Sequence, residues 1–566
     1  MTARHHTVAA AILALTGLFL LRLAGQEIQP WDEGLYAVRA ESIVRYDAWW
    51  DQTPHALGGL YSSTPPPMVP WVGAMMIRVM GPTPLAVRLF SALCAGMSLW
   101  LIFLIARRFM SFDHAVLAMC MLAGTLPWLL YGRQMMTEVP LMTFVLAAFW
   151  AALRMHERKD RGDAWKDGAI FAAVFAAALL TKMVVSLLPL LFLVPYVVDV
   201  RKDVKGLAKA LWPAVAGILL ALPWYLSMVS HYGDQFWLAL TVPHMTTAVE
   251  GNGRQLGALY YVNQLLVGHA LSVVAFVYVM MAVVWRSMLP ARTQRGAILA
   301  VAWFVAGLLI FSIAATKNPH YTVILVPAVV LVAVYGLERM LTGCVRRMIV
   351  AVYGLVSAVT LWSLLSFVRI GMRTMFVDMR VMLVVVFMAA LVILPLVLPR
   401  RLVDRLSVQG YRTVIYGACA IMILRCVAVV MLGRPDDIEG GKAVAEALKE
   451  RTAHTFVYLY HRQNAGDAFN PQLAWYTKGW MAGWNEGYTY TPVALNARTA
   501  DESTLIALIA SGKQLVVYYH PGISKEVQAS VASTLAIGYV PLEMQTPHYT
   551  VFRRLGLGER LAPGSR

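Results

Sequence analysis

Charged residues are scarce in this 566-residue sequence, and their scarcity excludes several classes of protein. Asp, Glu, Lys and Arg together make up 14% of the chain, whereas apolar residues make up 59%. Soluble globular proteins carry about 25% charged residues. The composition therefore rules out a disordered chain, a collagen-like fold and an ordinary soluble enzyme, and it indicates a polytopic membrane protein. Cysteine is scarce too, and none of the five lies beyond residue 432, so no disulfide framework is expected there.

Thirteen apolar runs are long enough to cross a hydrocarbon core of about 30 Å. They cover approximately residues 7–25, 84–106, 114–131, 138–154, 168–182, 184–198, 207–226, 264–285, 297–315, 321–338, 347–368, 380–398 and 413–432. The first run starts with basic residues but is not followed by a clear cleavage site, so we interpret it as a retained anchor. The fourth to sixth runs are short, which is typical of bent or partly re-entrant segments.

Positive charge dominates the balance, with a formal net charge of +17. Alternate loops between the runs, together with Arg4, hold 22 of the Lys and Arg residues. The positive-inside rule places these loops in the cytoplasm, so the excess indicates topology and not nucleic-acid binding. Thirteen spans then put the N-terminus in the cytoplasm and the C-terminal tail in the periplasm, as expected for a multi-pass protein of a bacterial inner membrane.

The predicted organisation is a transmembrane domain over residues 1–432 and a small soluble α/β domain over residues 433–566. Strand-like runs at 455–460 and 514–519, with helical patterns at 440–451 and 501–511, indicate the second domain. The outer loop 26–83 contains two apolar-faced segments, at 37–44 and 71–80. We predict that both are helices lying at the membrane surface.

Ionisable residues gather at span ends on the predicted outer face, where they are costly unless they pair or have a function. They are Asp32, Glu33, Arg133, Glu138, Lys182, Lys317 and His320. Each alone has a structural interpretation, such as a lysine that extends to the head groups or an acidic residue at a helix start. Together, carboxylates and cations on one face favour a site that handles a phosphate and a hydroxyl group.

Seven short motifs occur in the order in which one membrane family has them. They are Asp32-Glu33-Gly34-Leu35-Tyr36-Ala37, the segment from Tyr61 to Pro66, Val87-Arg88-Leu89, the segment from Arg133 to Leu141, Leu180-Thr181-Lys182, Leu222-Pro223-Trp224-Tyr225, and the segment from Lys317 to Pro327. On these residues the chain resembles the GT-C membrane glycosyltransferases, in the branch of protein O-mannosyltransferases and lipid A aminoarabinose transferases. The resemblance covers roughly residues 20–340 and implies a polytopic α-helical GT-C fold with about 13 transmembrane helices.

This resemblance implies an enzyme that moves one sugar, with inversion, from a polyprenyl phosphate to a lipid, glycan or protein acceptor outside the inner membrane. It implies Asp32 as the general base, with Glu138 and Glu33 as the other catalytic carboxylates. The implied donor-phosphate ligands are Lys182, Lys317, His320, Tyr321, Arg133, Arg39 and Tyr61. The candidates for acceptor or loop contacts are Tyr36, His55 and His244.

Two cations that are common in the family are missing here. Leu35 stands where an Arg often follows the first Asp, and Thr64 stands where a Lys often precedes the Pro-Pro pair. Arg39 lies one helical turn beyond Leu35, so we hypothesise that it replaces the missing cation. The departures argue against a close aminoarabinose transferase.

The expected partners are a polyprenyl-phosphate-linked sugar, an envelope acceptor and membrane lipid, with the protein as a monomer and without nucleic acid. No metal or other cofactor is expected to be required, because the outer-face histidines show no metal-ligand spacing; a divalent metal stays open as an alternative. Two other functions also stay open. One is a transporter or flippase of lipid-linked sugars, and the other is a non-catalytic subunit of envelope-glycan assembly.

Overall fold

The computed structural model describes the chain in a series of ranges. They are residues 2–55, 59–158, 161–183, 185–200, 204–249, 259–268, 294–313, 317–343, 439–448, 456–461, 475–476, 497–510 and 515–555, with short pieces within 275–291 and 417–431. The predicted spans at 347–368 and 380–398 lie outside the described residues, and the predicted span at 413–432 lies outside them in part. The count of thirteen spans therefore stays a prediction.

Fifteen helices are described in the first 343 residues, within the ranges given above. They are α1 Thr2–Leu20, α2 Asp32–Tyr46, α3 Gly59–Ser63, α4 Met68–Met80, α5 Pro84–Ala106, α6 Phe112–Ala123, α7 Leu126–Gly132, α8 Glu138–Glu157, α9 Ala164–Leu179, α10 Leu188–Val200, α11 Val204–Tyr232, α12 Asp234–Val249, α13 Tyr260–Gly268, α14 Arg295–Ile313 and α15 Thr322–Gly343. Of the described helices, five are long and apolar enough to cross a membrane. Helices α6 and α7 meet at an angle of 59° and form a sixth span if they are counted together. The prediction of a polytopic helical membrane protein is confirmed.

The chain divides into two compact units that do not follow its order. Unit 1 comprises residues 1–22, 89–231 and 241–435, and unit 2 comprises residues 23–88, 232–240 and 436–566. The predicted outer loop thus falls in the same compact unit as the C-terminal tail. The predicted domain boundary at residue 432 stays a prediction.

Helix α15 forms the centre of unit 1. Every residue from Thr322 to Leu337 is buried, so the helix is enclosed on all sides and not along a single stripe. It packs against α6, α8 and α14. A 3-10 turn, Pro319–Tyr321, precedes it and carries polar side chains to its N-terminal end.

Helices α8 and α9 pack against each other along their length and are joined by a short loop. This loop makes them antiparallel, so the start of α8 lies beside the end of α9. At the loop end, Arg154 Nε lies 2.9 Å from Oδ1 of Asp167, whose side chain is fully buried. The opposite end of the hairpin holds Glu138, at the start of α8, and Lys182, just after the end of α9. These two side chains are in contact.

In unit 2, helices α2 and α4 pack together and correspond to the two predicted surface helices. Both are longer than the sequence pattern indicated. The stretch from Tyr61 to Pro67 is helical as far as Ser63, and only the following residues leave the helix. Proline restricts the residue before it to extended backbone, so the helix ends just ahead of the proline run.

The tail contains a five-stranded sheet and three described helices. Its elements are α16 Gly441–Leu448, β1 Phe456–Tyr460, β2 Ala497–Thr499, α17 Glu502–Ala510, β3 Leu515–Tyr519, α18 Lys525–Leu535, β4 Tyr539–Gln545 and β5 Tyr549–Arg554. The strand order is β2-β1-β3-β5-β4. Strands β1, β2 and β3 are parallel, and β3, β5 and β4 pair antiparallel. Leu505, Leu508, Val531 and Leu535 of α17 and α18 pack on one face of the sheet.

The close packing of α11 against α9 generates a stability prediction. A Cβ atom on Gly217 would lie 2.8 Å from Phe175 Cδ1 and 3.0 Å from the backbone oxygen of Ala172. Because a backbone atom cannot rotate away, Gly217→Ala should destabilise the protein by about 1–3 kcal/mol, less the helix-propensity gain of about 1 kcal/mol. The measurement is the thermal unfolding midpoint of the protein purified in detergent.

The matched control is Gly17→Ala in helix α1, where no atom lies within 4 Å of the added Cβ. This variant should unfold at the wild-type temperature or slightly above it. Equal midpoints for the two variants would contradict the packing of α9 against α11.

Candidate active site

A buried ion pair joins α8 to the end of α9. Lys182 Nζ donates to Glu138 Oε1 at 2.6 Å, and the Glu138 side chain is only 2% exposed. Glu138 is the first residue of α8, where a negative charge faces the positive end of the helix dipole. Lys182 follows the C-terminus of α9, where its backbone N–H donates to the Ala178 carbonyl. Each charge therefore suits its helix end, and each is also neutralised by the other.

The turn before α15 supplies the next members of this cluster. His320 Nε2 lies 3.9 Å from the same Glu138 oxygen that accepts the lysine. The Lys182 ammonium lies 5.0 Å from the centre of the Tyr321 ring, in the range of a cation–π contact. Lys317 precedes the turn by two residues, and its side chain is 7% exposed. The structure thus brings together four predicted site residues, Glu138, Lys182, His320 and Tyr321.

Lys182, Lys317 and His320 are side chains of the types that bind phosphate. At low local dielectric, a cation attracts an anion more strongly than it does in water. We call Glu138, Lys182, His320 and Tyr321, together with Lys317 two residues before the turn, the cationic cluster. Its chemistry suits a phosphate group or another compact anion.

The turn that carries Lys317 and His320 is held by a tyrosine. Tyr261 Oη accepts from the Asn318 N–H at 3.0 Å and lies 3.3 Å from the Asn318 carbonyl. The Tyr131 ring meets the His320 ring edge-on. These contacts fix the turn from two other helices, so the polar side chains on it have a defined direction.

In unit 2, the two adjacent acidic residues Asp32 and Glu33 have different surroundings. Glu33 is 1% exposed and forms a two-pronged pair with Arg88, with Nε at 2.6 Å from Oε1 and Nη2 at 2.8 Å from Oε2. Asp32 is partly exposed at the first position of α2. Since Glu33 is paired with a guanidinium and buried, Asp32 is the more exposed carboxylate of the two.

Arg39 lies in helix α2 of unit 2, and its side chain is fully buried. Its Nη2 atom donates to Gln52 Oε1 at 2.9 Å, and its guanidinium lies 6.0 Å from the Tyr36 ring centre. Burial lowers the pKa of Arg39 to about 10. Among the residues that the structure describes, its Nε and Nη1 atoms have no hydrogen-bond partner. These two nitrogens are consistent with the hypothesis that Arg39 replaces the cation missing at Leu35, which stays a prediction.

Other predicted residues have structural contacts. Arg133 Nη1 donates to the carbonyls of Leu18, Phe19 and Leu21, and so satisfies the C-terminal end of α1. The His55 ring stacks on Tyr46, and burial lowers its pKa. Tyr61 lies in α3 and His244 in α12, but both side chains lie outside the described residues. Their predicted roles stay predictions.

Two residues make contacts near the candidate site that sequence reasoning did not predict. Arg88 belongs to a recognised motif, yet nothing in the motif shows that it pairs with Glu33, 55 positions away. Tyr261 gives no local signal, because an apolar helix with one tyrosine is common. A buried arginine in an apolar run was the available signal for Arg88, since such a charge requires a partner.

No group of three His, Cys, Asp or Glu side chains in the described part of the chain is placed to hold a metal ion.

A family model and a solved structure indicate the class of protein that this chain resembles. A family model for dolichyl-phosphate-mannose-protein mannosyltransferase matches residues 64–231. The crystal structure of ArnT from Cupriavidus metallidurans bound to undecaprenyl phosphate superposes with a TM-score of 0.64 at 17% identity, covering 98% of each chain. The chain therefore has the GT-C membrane fold.

In sequence, the chain is similar to several arabinosyl transferases. The Pseudomonas fluorescens undecaprenyl phosphate-alpha-4-amino-4-deoxy-L-arabinose arabinosyl transferase 2 is 27% identical over 338 residues, which cover 58% of this chain and 56% of that protein. The corresponding enzyme of Edwardsiella ictaluri is 24% identical, covering 57% of this chain and 58% of that protein. The chain thus spans a little over half the length of these relatives. The predicted resemblance to ArnT-like GT-C glycosyltransferases is confirmed.

The ion pair generates a prediction about stability. Lys182→Met leaves the Glu138 carboxylate buried without its lysine, and breaking a buried pair costs about 3–5 kcal/mol. Because the Lys182 side chain is 25% exposed, we expect the lower end of that range or less. In Glu138→Gln/Lys182→Met, both charges are absent, so the unfolding midpoint in detergent should recover toward that of the wild type.

Lys166→Met is the control, because Lys166 is an exposed lysine in the first turn of α9, at the end of that helix away from Lys182. It should leave the midpoint unchanged. If the Lys182→Met single variant were no less stable than the double variant, the ion pair would not be a determinant of this site.

Proposed function

We propose that this protein is a membrane glycosyltransferase that moves one sugar from a polyprenyl phosphate to an acceptor hydroxyl group, with inversion. The observation that carries the proposal is the cationic cluster, in which Lys182 pairs with the buried Glu138 carboxylate next to His320 and Tyr321. The similarity to undecaprenyl-phosphate-dependent arabinosyl transferases supports an undecaprenyl-phosphate-linked sugar as the donor. A lipid-phosphate leaving group needs neither a nucleotide nor ATP at the membrane surface.

Departure of the lipid phosphate is the step that the cationic cluster serves. When the bond between the anomeric carbon and the phosphate oxygen breaks, the electron pair stays on that oxygen and its negative charge grows. Lys182, Lys317 and His320 stabilise this charge, which is worth more in a water-poor site than in bulk water. Glu138 acts by holding the Lys182 ammonium in place.

Attack by the acceptor requires a base. Asp32 takes the proton of the acceptor hydroxyl as its oxygen bonds to the anomeric carbon. A single displacement on the face opposite the leaving phosphate inverts that carbon. Partial exposure suits Asp32 to this role, whereas Glu33 is committed to Arg88 and serves to hold the start of α2.

The proposal also includes position and topology. The protein acts as a monomer in a bacterial inner membrane, with its N-terminus in the cytoplasm and residues 433–566 in the periplasm. The asymmetry of Lys and Arg among the loops supports this orientation. The acceptor is an envelope lipid, glycan or protein that presents a hydroxyl group on the periplasmic side.

Deletion of the gene tests this function directly. Mass spectrometry of the envelope glycans and lipids should show the loss of one sugar residue from one component, and expression of the wild-type protein should restore it. Asp32→Asn should restore less than about one hundredth of the wild-type rate, because a general base contributes about 10²–10⁴-fold. The sugar that disappears identifies donor and acceptor together.

Asp47→Asn is the matched control, since Asp47 is an exposed acid of the same loop whose backbone is left-handed, a conformation that Asn also adopts. It should restore the sugar fully. Full restoration by a stably expressed Asp32→Asn would overturn the assignment of the base. An unchanged envelope after deletion would overturn the proposed function.

A further inference from the structure

The backbone immediately before Asp32 is irregular and strained. Residues 27–29 form neither helix nor strand, and Trp31 has φ 62° and ψ −123°, in the left-handed half of the map. A bulky residue with this backbone is unfavourable and persists only where the surroundings determine it. The segment 23–33 must therefore be held by contacts outside itself.

Arg88 provides the first set of contacts. Besides Glu33, its guanidinium donates to the carbonyls of Leu23, Gln26 and Glu27, at 3.2, 2.8 and 2.6 Å. The Glu33 carboxylate in turn accepts from the Gln29 N–H at 2.8 Å. One buried side chain thus ties both ends of the segment together.

The C-terminal tail provides the second set. Oε2 of Glu27 accepts from the Gly440 N–H at 3.1 Å and from the Lys442 N–H at 3.2 Å, at the start of α16. Tyr476 Oη accepts from the Ile28 N–H at 2.8 Å. Two successive loop residues are therefore bound to two separate parts of the tail, over more than 400 positions of sequence.

The tail is shaped for this contact. Gly440 has φ +99°, and a Cβ atom at this position would collide with the Thr546 side chain. The N–H groups at the start of α16 are those that a helix leaves unpaired, and a carboxylate is the group that they bind best. Burial raises the pKa of Tyr476 to about 12, so its hydroxyl stays neutral beside Glu27 and Glu33.

We infer that the tail positions Asp32: Gly440, Lys442 and Tyr476 hold Glu27 and Ile28, and with Arg88 they fix the turn that presents the general base. This inference rests on the proposed function. Glu27 and Tyr476 are positioning residues, because they act through the backbone of 27–31 and do not touch the reacting atoms. The tail is thereby part of the catalytic apparatus and not an appended binding module.

The test uses full-length variants Glu27→Ala, Glu27→Gln and Tyr476→Phe, with membranes of the deletion strain as the source of donor and acceptor. Glu27→Ala and Tyr476→Phe should lower the maximal transfer rate between about 10- and 100-fold, as expected for a misplaced catalytic group. The membrane concentration that gives half the maximal rate should stay the same. Glu27→Gln keeps an oxygen acceptor and should recover most of the rate.

Hydrogen–deuterium exchange gives a readout that does not depend on activity. In Glu27→Ala and Tyr476→Phe, the amides of residues 27–33 should exchange at least about tenfold faster than in the wild type. Amides of β3, residues 515–519, should be unchanged, which shows that the tail is still folded. Glu439→Gln, an exposed neighbour of Gly440, should match the wild type in both measurements.

The outcomes separate the two claims. Wild-type rates and exchange in Glu27→Ala and Tyr476→Phe would overturn the inference, even with Asp32→Asn inactive. Faster exchange at wild-type rate would also overturn it, since the turn would then have no effect on catalysis. An active Asp32→Asn would instead overturn the proposed base, whatever the exchange shows.

Discussion

The ion pair between Glu138 and Lys182 is the interaction on which the candidate site depends. Neither charge is tolerated alone at the end of an apolar helix, because a buried ion without a partner costs several kcal/mol. Pairing them fixes the start of α8 against the end of α9. It also holds the Lys182 ammonium next to His320 and Tyr321, in the cluster to which the proposal assigns the phosphate.

Cations in this chain have two uses, and the sequence does not distinguish them. Arg133 and Arg88 resemble ligand-binding residues, because both are arginines at span ends in recognised motifs. The structure uses Arg133 on the carbonyls at the end of α1 and Arg88 on the segment 23–33. A guanidinium has five donors in a fixed plane, so it can satisfy several carbonyl groups that a lysine could not. Lysine, a compact charge with three donors, is the cation of the cluster.

Much of the fold could be predicted from the sequence, because apolar runs, the start of α8 at Glu138 and the tail strands follow local patterns. Glu138 and Lys182 could be placed at the same end of two neighbouring spans, but their contact depends on how α8 and α9 are rotated. The resemblance implied Asp32 as the base, but the residues alone gave no physical reason to prefer it to Glu33. That reason is the long-range contact of Glu33 with Arg88. The link from Glu27 to α16 has no local signal at all.

The most direct measurement of the central claim is the affinity of the purified protein for undecaprenyl phosphate and for undecaprenol, which differ only in the phosphate. The cationic cluster predicts that the wild type binds the phosphate form at least about tenfold more tightly, a difference of about 1.4 kcal/mol. Lys182→Met and Lys317→Met should each reduce this preference, and Lys166→Met should not. Equal affinity of the wild type for the two lipids would contradict a phosphate site at this cluster.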